Sequence, residues 1–222
     1  TVGGTVGATF PAAGKFTLSG VDAVSSANFP TSSGNSTLTD KADDVDTTPT
    51  DLGGGQVGQG ETHACLKLSM FTPLDASTWT AVTVSTIGNL APASLDSVRV
   101  YLDDGDGVFD AGVDTLVSPL TTTFTGGSAA ITLSASQVIT GTAKDYFIVL
   151  VVNVAATVGN TTGVRIHHPG HFTFSSPDVS SATYPLSATA STVAAPDIVT
   201  GSRTDLARPG IGQGADYAAQ RL

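Results

Sequence analysis

The sequence is poor in the residues that disulfides, long helices and basic surfaces require. One cysteine, Cys65, excludes an intrachain disulfide. Of the 19 acidic residues all but Glu61 are aspartate, a side chain that suits turns and cation-binding loops better than helix faces. With only 9 Lys and Arg, the net charge is −10. This charge disfavours binding to nucleic acid or to anionic lipid, because both are negative.

Long hydrophobic runs are also missing. The most apolar run, Phe147–Val154, is far shorter than the roughly 20 residues that a membrane-spanning helix needs. We therefore expect a core strand there and no membrane insertion. The chain begins at Thr1 and carries no signal peptide, which is typical of a processed, exported protein and predicts an extracellular or cell-surface location.

Sequence motifs of catalysis are absent. The chain has no Gly-x-Ser-x-Gly elbow, no His-Glu-x-x-His, no Walker loop and no Gly-x-Gly-x-x-Gly followed by a helix. A glycosidase built on two aspartates stays open, because such pairs are recognised in space and not in sequence. We expect that the protein is not an enzyme.

The abundant residues are Ser, Thr, Val and Gly, which are typical of strands joined by tight turns. Short apolar or alternating runs separated by turn signals, without a convincing amphipathic helix, predict an all-β fold. The expected architecture is an antiparallel β-sandwich, Ig-like or jelly-roll-like, with extended N- and C-terminal segments. The predicted strands are 62–71, 79–87, 96–102, 121–125, 129–134, 145–154, 163–168, 171–175 and 185–193.

Four segments are expected along the chain. They are an N-terminal strand segment (1–20), a loop-rich connection (21–59), the sandwich (60–193) and a C-terminal extension (194–222). In the first segment Val6, Ala8 and Phe10 alternate with small or polar residues. Such a strand can add to the open sheet edge of another copy, and the alternative is that it pairs with its own sandwich.

The sharpest motif is an acidic loop, residues 103–114, in which five carboxylates are interleaved with glycines. So dense a cluster repels itself unless a cation neutralises it. Ca²⁺ takes six to eight oxygen ligands from loops of this kind, and the lack of soft ligands disfavours zinc or copper. A solvated loop without a metal is the alternative. The candidate ligands are Asp103, Asp104, Asp106, the carbonyl of Val108, Asp110 and Asp114, with Val108 and Phe109 expected to pack the loop on the sandwich.

Here the sequence resembles a known family. The segments Ser97–Asp110, Asp114–Leu116 and Ala155–Val164 are similar to the calcium-turn β-sandwich modules of prokaryotic secreted and surface proteins. The resemblance covers roughly residues 60–192, and it implies surface layers, adhesins or exoenzymes. The arrangement of an N-terminal strand before a sandwich also resembles donor-strand filaments. The acidic loop departs from the commoner Asp-x-Asn-x-x-Gly form, which leaves the ligand set open.

Other polar groups carry weaker signals. The aspartates Asp40, Asp43, Asp44 and Asp46 form a possible second cation site, with a solvated loop as the alternative. The histidines of His167–His171 resemble a metal motif, but we interpret them as ordinary side chains of a turn, because neighbours in a strand point to opposite faces.

Two functions from different classes follow. The leading hypothesis is a calcium-stabilised structural subunit of an extracellular filament or surface layer, a homopolymer assembled by strand addition. The alternative is a carbohydrate-binding or adhesin module. That alternative depends on an exposed aromatic surface for a glycan, and the alternation around Trp79 predicts partial exposure of its ring.

Overall fold

The computed structural model describes residues 5–12, 15, 30–37, 42–196, 204–205 and 220–221. Their regular structure is β-strand, apart from 3-10 turns such as Pro92–Ser94 and Pro169–His171, which confirms the all-β prediction. A search of these residues for a helix long and apolar enough to cross a membrane finds none. The strands, in chain order, are β1 (Thr5–Val6), β2 (Thr9–Phe10), β3 (Thr31–Ser32), β4 (Ser36–Thr37), β5 (Asp44–Asp51), β6 (Gln56–Gly58), β7 (Thr62–Phe71), β8 (Ser77–Gly88), β9 (Leu95–Leu102), β10 (Thr115–Leu116), β11 (Ser128–Ile139), β12 (Lys144–Val152), β13 (Thr161–Ile166), β14 (Phe172–Phe174), β15 (Val179–Ser181), β16 (Leu186–Ser187), β17 (Ser191–Ala194), β18 (Thr204–Asp205) and β19 (Gln220–Arg221).

Two sheets form the sandwich. The first has the order β10-β9-β12-β7-β5-β15, and the second has the order β11-β8-β13-β17-β6, with β14 beside β8 and β16 beside β13. Pairing is antiparallel except at β5–β15 and β6–β17, which are parallel. The predicted antiparallel sandwich is therefore confirmed, with two parallel pairs added by short strands.

The core lies between the two sheets and draws on both. Full burial of an aliphatic or aromatic side chain contributes about 1.5–3 kcal/mol, so this layer is the main source of stability. Its largest fully buried members are Leu66, Leu68, Met70, Trp79, Ile131, Ile139, Tyr146, Ile148, Leu150, Ile166 and Leu186.

The central strand β12 is buried on both faces. Tyr146, Ile148 and Leu150 face the inter-sheet core, while Phe147 and Val149 belong to a second, smaller apolar cluster with Tyr101. Burial on both faces explains why this strand reads as a continuous apolar run and not as an alternation. On the outer face of the first sheet, Phe109 of the acidic loop packs against this second cluster.

The segment predicted as a loop-rich connection contains strands of the sandwich. β5 pairs with β7 from Asp46 to Asp51, and β6 pairs with β17. β5 is polar because few of its side chains face the core, chiefly Val45 and Thr47. β15 pairs with residues 44–46 of β5 and does not reach Pro49. Pro49 therefore lies on an open part of the sheet edge, where the N–H that proline lacks would form no hydrogen bond to a neighbouring strand.

Three local predictions differ from the structure. The predicted strand 185–193 is two short strands, β16 and β17, with residues 188–190 between them. Residues 121–125 form no strand, and only an isolated bridge joins Thr125 to Ser128 in a tight turn. The alternation of β7 also predicts that Cys65 lies on the face of Lys67, but Cys65 is buried in the core beside Leu66. The register between β7 and β12 shifts at this point, so a bulge turns Cys65 inward.

Candidate metal centre on an acidic loop

The acidic loop connects two paired strands of the first sheet. β9 ends at Leu102 and β10 begins at Thr115, and these two residues are register partners. Within the loop the Asp103 carboxylate accepts hydrogen bonds from the backbone N–H of Gly105 and Gly107. Both glycines have positive φ, 113° and 77°, which other residues rarely adopt. The glycines therefore let the chain fold back around its own carboxylates.

Phe109 attaches the loop to the sandwich. Its ring contacts Tyr101 and Phe147 edge-on, with centroid separations of 5.1 and 5.6 Å. Such aromatic pairs contribute about 0.5–1.5 kcal/mol beyond area burial. The prediction that the loop packs through its apolar residues is confirmed for Phe109 and wrong for Val108, which is 65% exposed.

Asp114 is the buried carboxylate of the loop, with 6% of its surface exposed. Its Oδ1 accepts the N–H of Asp104 at 3.1 Å, and its Oδ2 accepts the N–H of Asp110 at 2.8 Å. The N–H of Asp114 donates back to the carbonyl of Asp110. Asp114 thus connects the beginning, middle and end of the loop.

Three of the predicted ligands converge. One carboxylate oxygen from each of Asp103, Asp104 and Asp114 lies within 4.8 Å of the other two, close enough to share one cation. Asp106 and Asp110 stand outside this group, and each accepts a backbone N–H two residues later, from Val108 and Gly112. Hard oxygen ligands of this kind suit Ca²⁺, with the remaining coordination positions left to carbonyls or water.

A lysine that sequence reasoning overlooked lies beside the loop. Lys67 Nζ is 3.0 Å from the Asp145 carboxylate, and both side chains are mostly buried. The carbonyl of Asp145 accepts the N–H of Asp103, which ties the start of the loop to β12.

The second acidic stretch shows no comparable convergence in the described residues. Asp40 lies outside them, Asp44 is exposed and Asp46 is half-buried on β5. Asp43 is buried, and its Oδ2 accepts the Thr72 hydroxyl at 2.7 Å and the N–H of Asp75 at 2.8 Å. These bonds make Asp43 a connection between β5 and the turn after β7, while its Oδ1 is buried without a hydrogen-bond partner among the described residues. A cation at this stretch stays a prediction.

Trp79 is fully buried, so the expectation of a partly exposed indole is wrong. Its Nε1 donates to the carbonyl of Ala81 at 2.8 Å, and its ring contacts Tyr146 edge-on at 5.0 Å. A bulge in β8 accounts for this: β14 pairs Thr173 with Ala81 and Phe174 with Trp79, which leaves Thr80 as the extra residue. A buried indole offers no surface on which a sugar can stack.

The predicted assembly residues lie apart from the sandwich sheets. β1 pairs with β4, and β2 pairs with β3, each as a separate two-stranded sheet. Val6 is 57% exposed and Phe10 is 50% exposed, and Ala8 is exposed as well. The described part of the N-terminal segment therefore presents apolar side chains to solvent.

Comparisons with known proteins add little. No protein-family model matches the chain, and no curated protein matches it. A solved structure, the complex of a CaDoc0917 variant with CaCohA2 at pH 5.5, is similar to it with a TM-score of 0.27 and 13% identity. The match covers 70% of this chain and 100% of that chain. A similarity this weak supports no conclusion about fold or function.

Proposed function

We propose that the protein is a calcium-stabilised structural subunit of an extracellular filament or surface layer, without catalytic activity. The observation that carries the proposal is the N-terminal segment, whose short strands pair with β3 and β4 in two-stranded sheets separate from those of the sandwich and expose Val6. Exposed apolar residues on an extended segment favour contact with a partner. A second copy of the chain is that partner.

The acceptor in this proposal is the edge of β11. Among the four edge strands of the two main sheets, β11 has twelve residues, whereas β6, β10 and β15 have two or three. Part of this edge is occupied, since Thr125 bridges Ser128 and the N–H of Ser134 donates to the carbonyl of Val117. The stretch between these two contacts is a template for strand addition, and addition of this heterologous kind builds open fibres.

Local hydrogen bonding identifies which groups of β11 face outward. The N–H of Thr86 donates to the carbonyl of Gly127, and hydrogen-bonded and non-hydrogen-bonded pairs alternate along an antiparallel ladder. Ala130, opposite Thr83, therefore belongs to a non-hydrogen-bonded pair, and its N–H points away from β8. Its side chain is also exposed.

Calcium supports assembly in this proposal by holding the acidic loop in shape. The support is the convergence of Asp103, Asp104 and Asp114 on a loop that Phe109 packs against the sheet. Without a cation, the repulsion among these carboxylates opposes that shape.

Electron microscopy of the purified protein, with calcium and again after chelation, tests the proposal. We expect ordered filaments or sheets that come apart when calcium is removed. A monodisperse monomer under both conditions would overturn the proposal of a filament.

Two variants test the mode of assembly. Deletion of residues 1–12 removes the donor, and Ala130→Pro removes an outward N–H of the acceptor without touching the ladder with β8. Both should give folded monomers, whereas Ala130→Ser should assemble normally. Polymers formed by the deletion variant would exclude strand donation by this segment.

The carbohydrate-binding alternative depends on an exposed aromatic side chain, and Trp79, which was expected to provide it, is buried. No other observation favours it.

A further inference from the structure

Three histidines meet at the turn between β13 and β14. β13 ends at Ile166, His167 and His168 follow, and a 3-10 turn leads through His171 into β14. The N–H of His171 donates to the carbonyl of His168 at 3.0 Å and closes the turn. The turn brings side chains three residues apart onto the same side, which cancels the alternation expected of an extended strand.

The imidazole rings are close together. The centroids of His168 and His171 are 4.0 Å apart, and those of His167 and His171 are 5.7 Å apart. A Cβ at Gly170 would lie 3.2 Å from Nδ1 of His168, so the absence of a side chain there leaves room for that ring. His167 and His168 are exposed, and His171 is half-buried.

One ring nitrogen in this group has no partner. Nδ1 of His171 is buried and makes no hydrogen bond of ordinary geometry to any described residue. A buried polar atom without a partner is unfavourable, and a metal ion satisfies an imidazole nitrogen as well as a donor does.

We propose that this turn binds a late first-row divalent transition-metal ion through His168 and His171. His167, exposed and one residue away, supplies a third imidazole when its ring turns toward the ion. Imidazole suits copper, nickel and zinc, and Cu²⁺ heads the order of affinity, so Cu²⁺ is the probe of choice. The site is separate in chemistry from the acidic loop, whose oxygen ligands suit a hard cation.

The test is a titration of the untagged, full-length protein with Cu²⁺. Calorimetry measures the affinity and the number of ions bound, and electron paramagnetic resonance identifies the ligand atoms. Excess Ca²⁺ occupies the acidic loop throughout. We expect one Cu²⁺ per chain, with nitrogen hyperfine structure in the spectrum. His168→Gln and His171→Gln should each weaken binding by about tenfold or more.

Two further variants make the result specific. Gly170→Ala should weaken Cu²⁺ binding by displacing the His168 ring, while circular dichroism shows an unchanged fold. His63→Gln is the matched control, because His63 lies on β7 and bonds Ser191 instead of another histidine. Equal Cu²⁺ binding by wild type and a His168→Gln/His171→Gln double variant would overturn the proposal, as would a spectrum with oxygen ligands only.

Discussion

The backbone N–H of Asp104 donates to the carboxylate of Asp114 at 3.1 Å, across ten residues of chain. The same carboxylate is buried and also accepts the N–H of Asp110. One side chain therefore closes the acidic loop and supplies a member of the converging carboxylate group. Loop shape and cation affinity are coupled through Asp114.

Removal of the charge at Asp114 should abolish the response of the protein to calcium. A ligand at 100 times its Kd stabilises the folded state by about 2.7 kcal/mol, which unfolding in urea measures readily. We expect this gain in wild type and its loss in Asp114→Asn. Asp106→Asn is the control, because its exposed carboxylate lies outside the converging group. Equal stabilisation of wild type and Asp114→Asn by calcium would contradict the assignment.

Truncation of Phe109 should loosen the loop. Phe109→Ala removes the edge-on contacts with Tyr101 and Phe147, and we expect a loss of about 0.5–3 kcal/mol in the free energy of unfolding. Val108→Ala, one residue away and exposed, should change stability by less than about 0.5 kcal/mol. Chemical denaturation of both variants measures the difference, and similar effects at the two positions would argue against packing through Phe109.

The thiol of Cys65 should be inert in the folded protein. Burial raises its pKa to about 12, and the charge of Asp51 acts in the same direction, while a backbone hydrogen bond with Leu150 opposes them. The thiolate is the reactive form, so a thiol reagent at mildly alkaline pH should label Cys65 only after unfolding in urea. Labelling of the native protein at the rate of a free thiol would show that the bulge opens.

Stability should fall as the solution is acidified below the normal range of histidine. Burial lowers the pKa of His63 below its usual 6.5, and the charge of Glu61 only partly opposes this. Between the lowered pKa and 6.5 the unfolded chain binds a proton that the folded chain does not. The contribution of His63 to the free energy of unfolding is therefore fully present above pH 6.5 and is lost as the pH falls toward the lowered pKa.

His63→Gln isolates this contribution. Urea unfolding at about pH 7.5 and about pH 5.5 should show a smaller difference for the variant than for wild type. A part of the difference remains in the variant, because the pKa of His171 is lowered as well. An unchanged pH dependence in His63→Gln would assign the effect to other groups.

Some features followed from the sequence because they depend on local patterns. The bounds of β7 were predicted to the residue, since its alternation of apolar and polar side chains is regular over most of its length. The acidic loop was recognised because its carboxylates and glycines are consecutive. β5 was missed because its sequence is polar and its place in the sheet depends on pairing with β7 and β15. Trp79 was assigned to the wrong surface because a bulge in β8 changes which side chains face inward.

The sequence by itself determined the all-β class, the acidic loop and the lack of a long apolar span, because composition and short-range spacing decide these properties. Only the tertiary structure decided that Asp103, Asp104 and Asp114 converge while Asp106 and Asp110 do not. It also decided that Phe109 lies on Phe147 and that His168 meets His171. The physical reason is that turns and bulges set the direction of each side chain, and long-range strand pairing sets its neighbours.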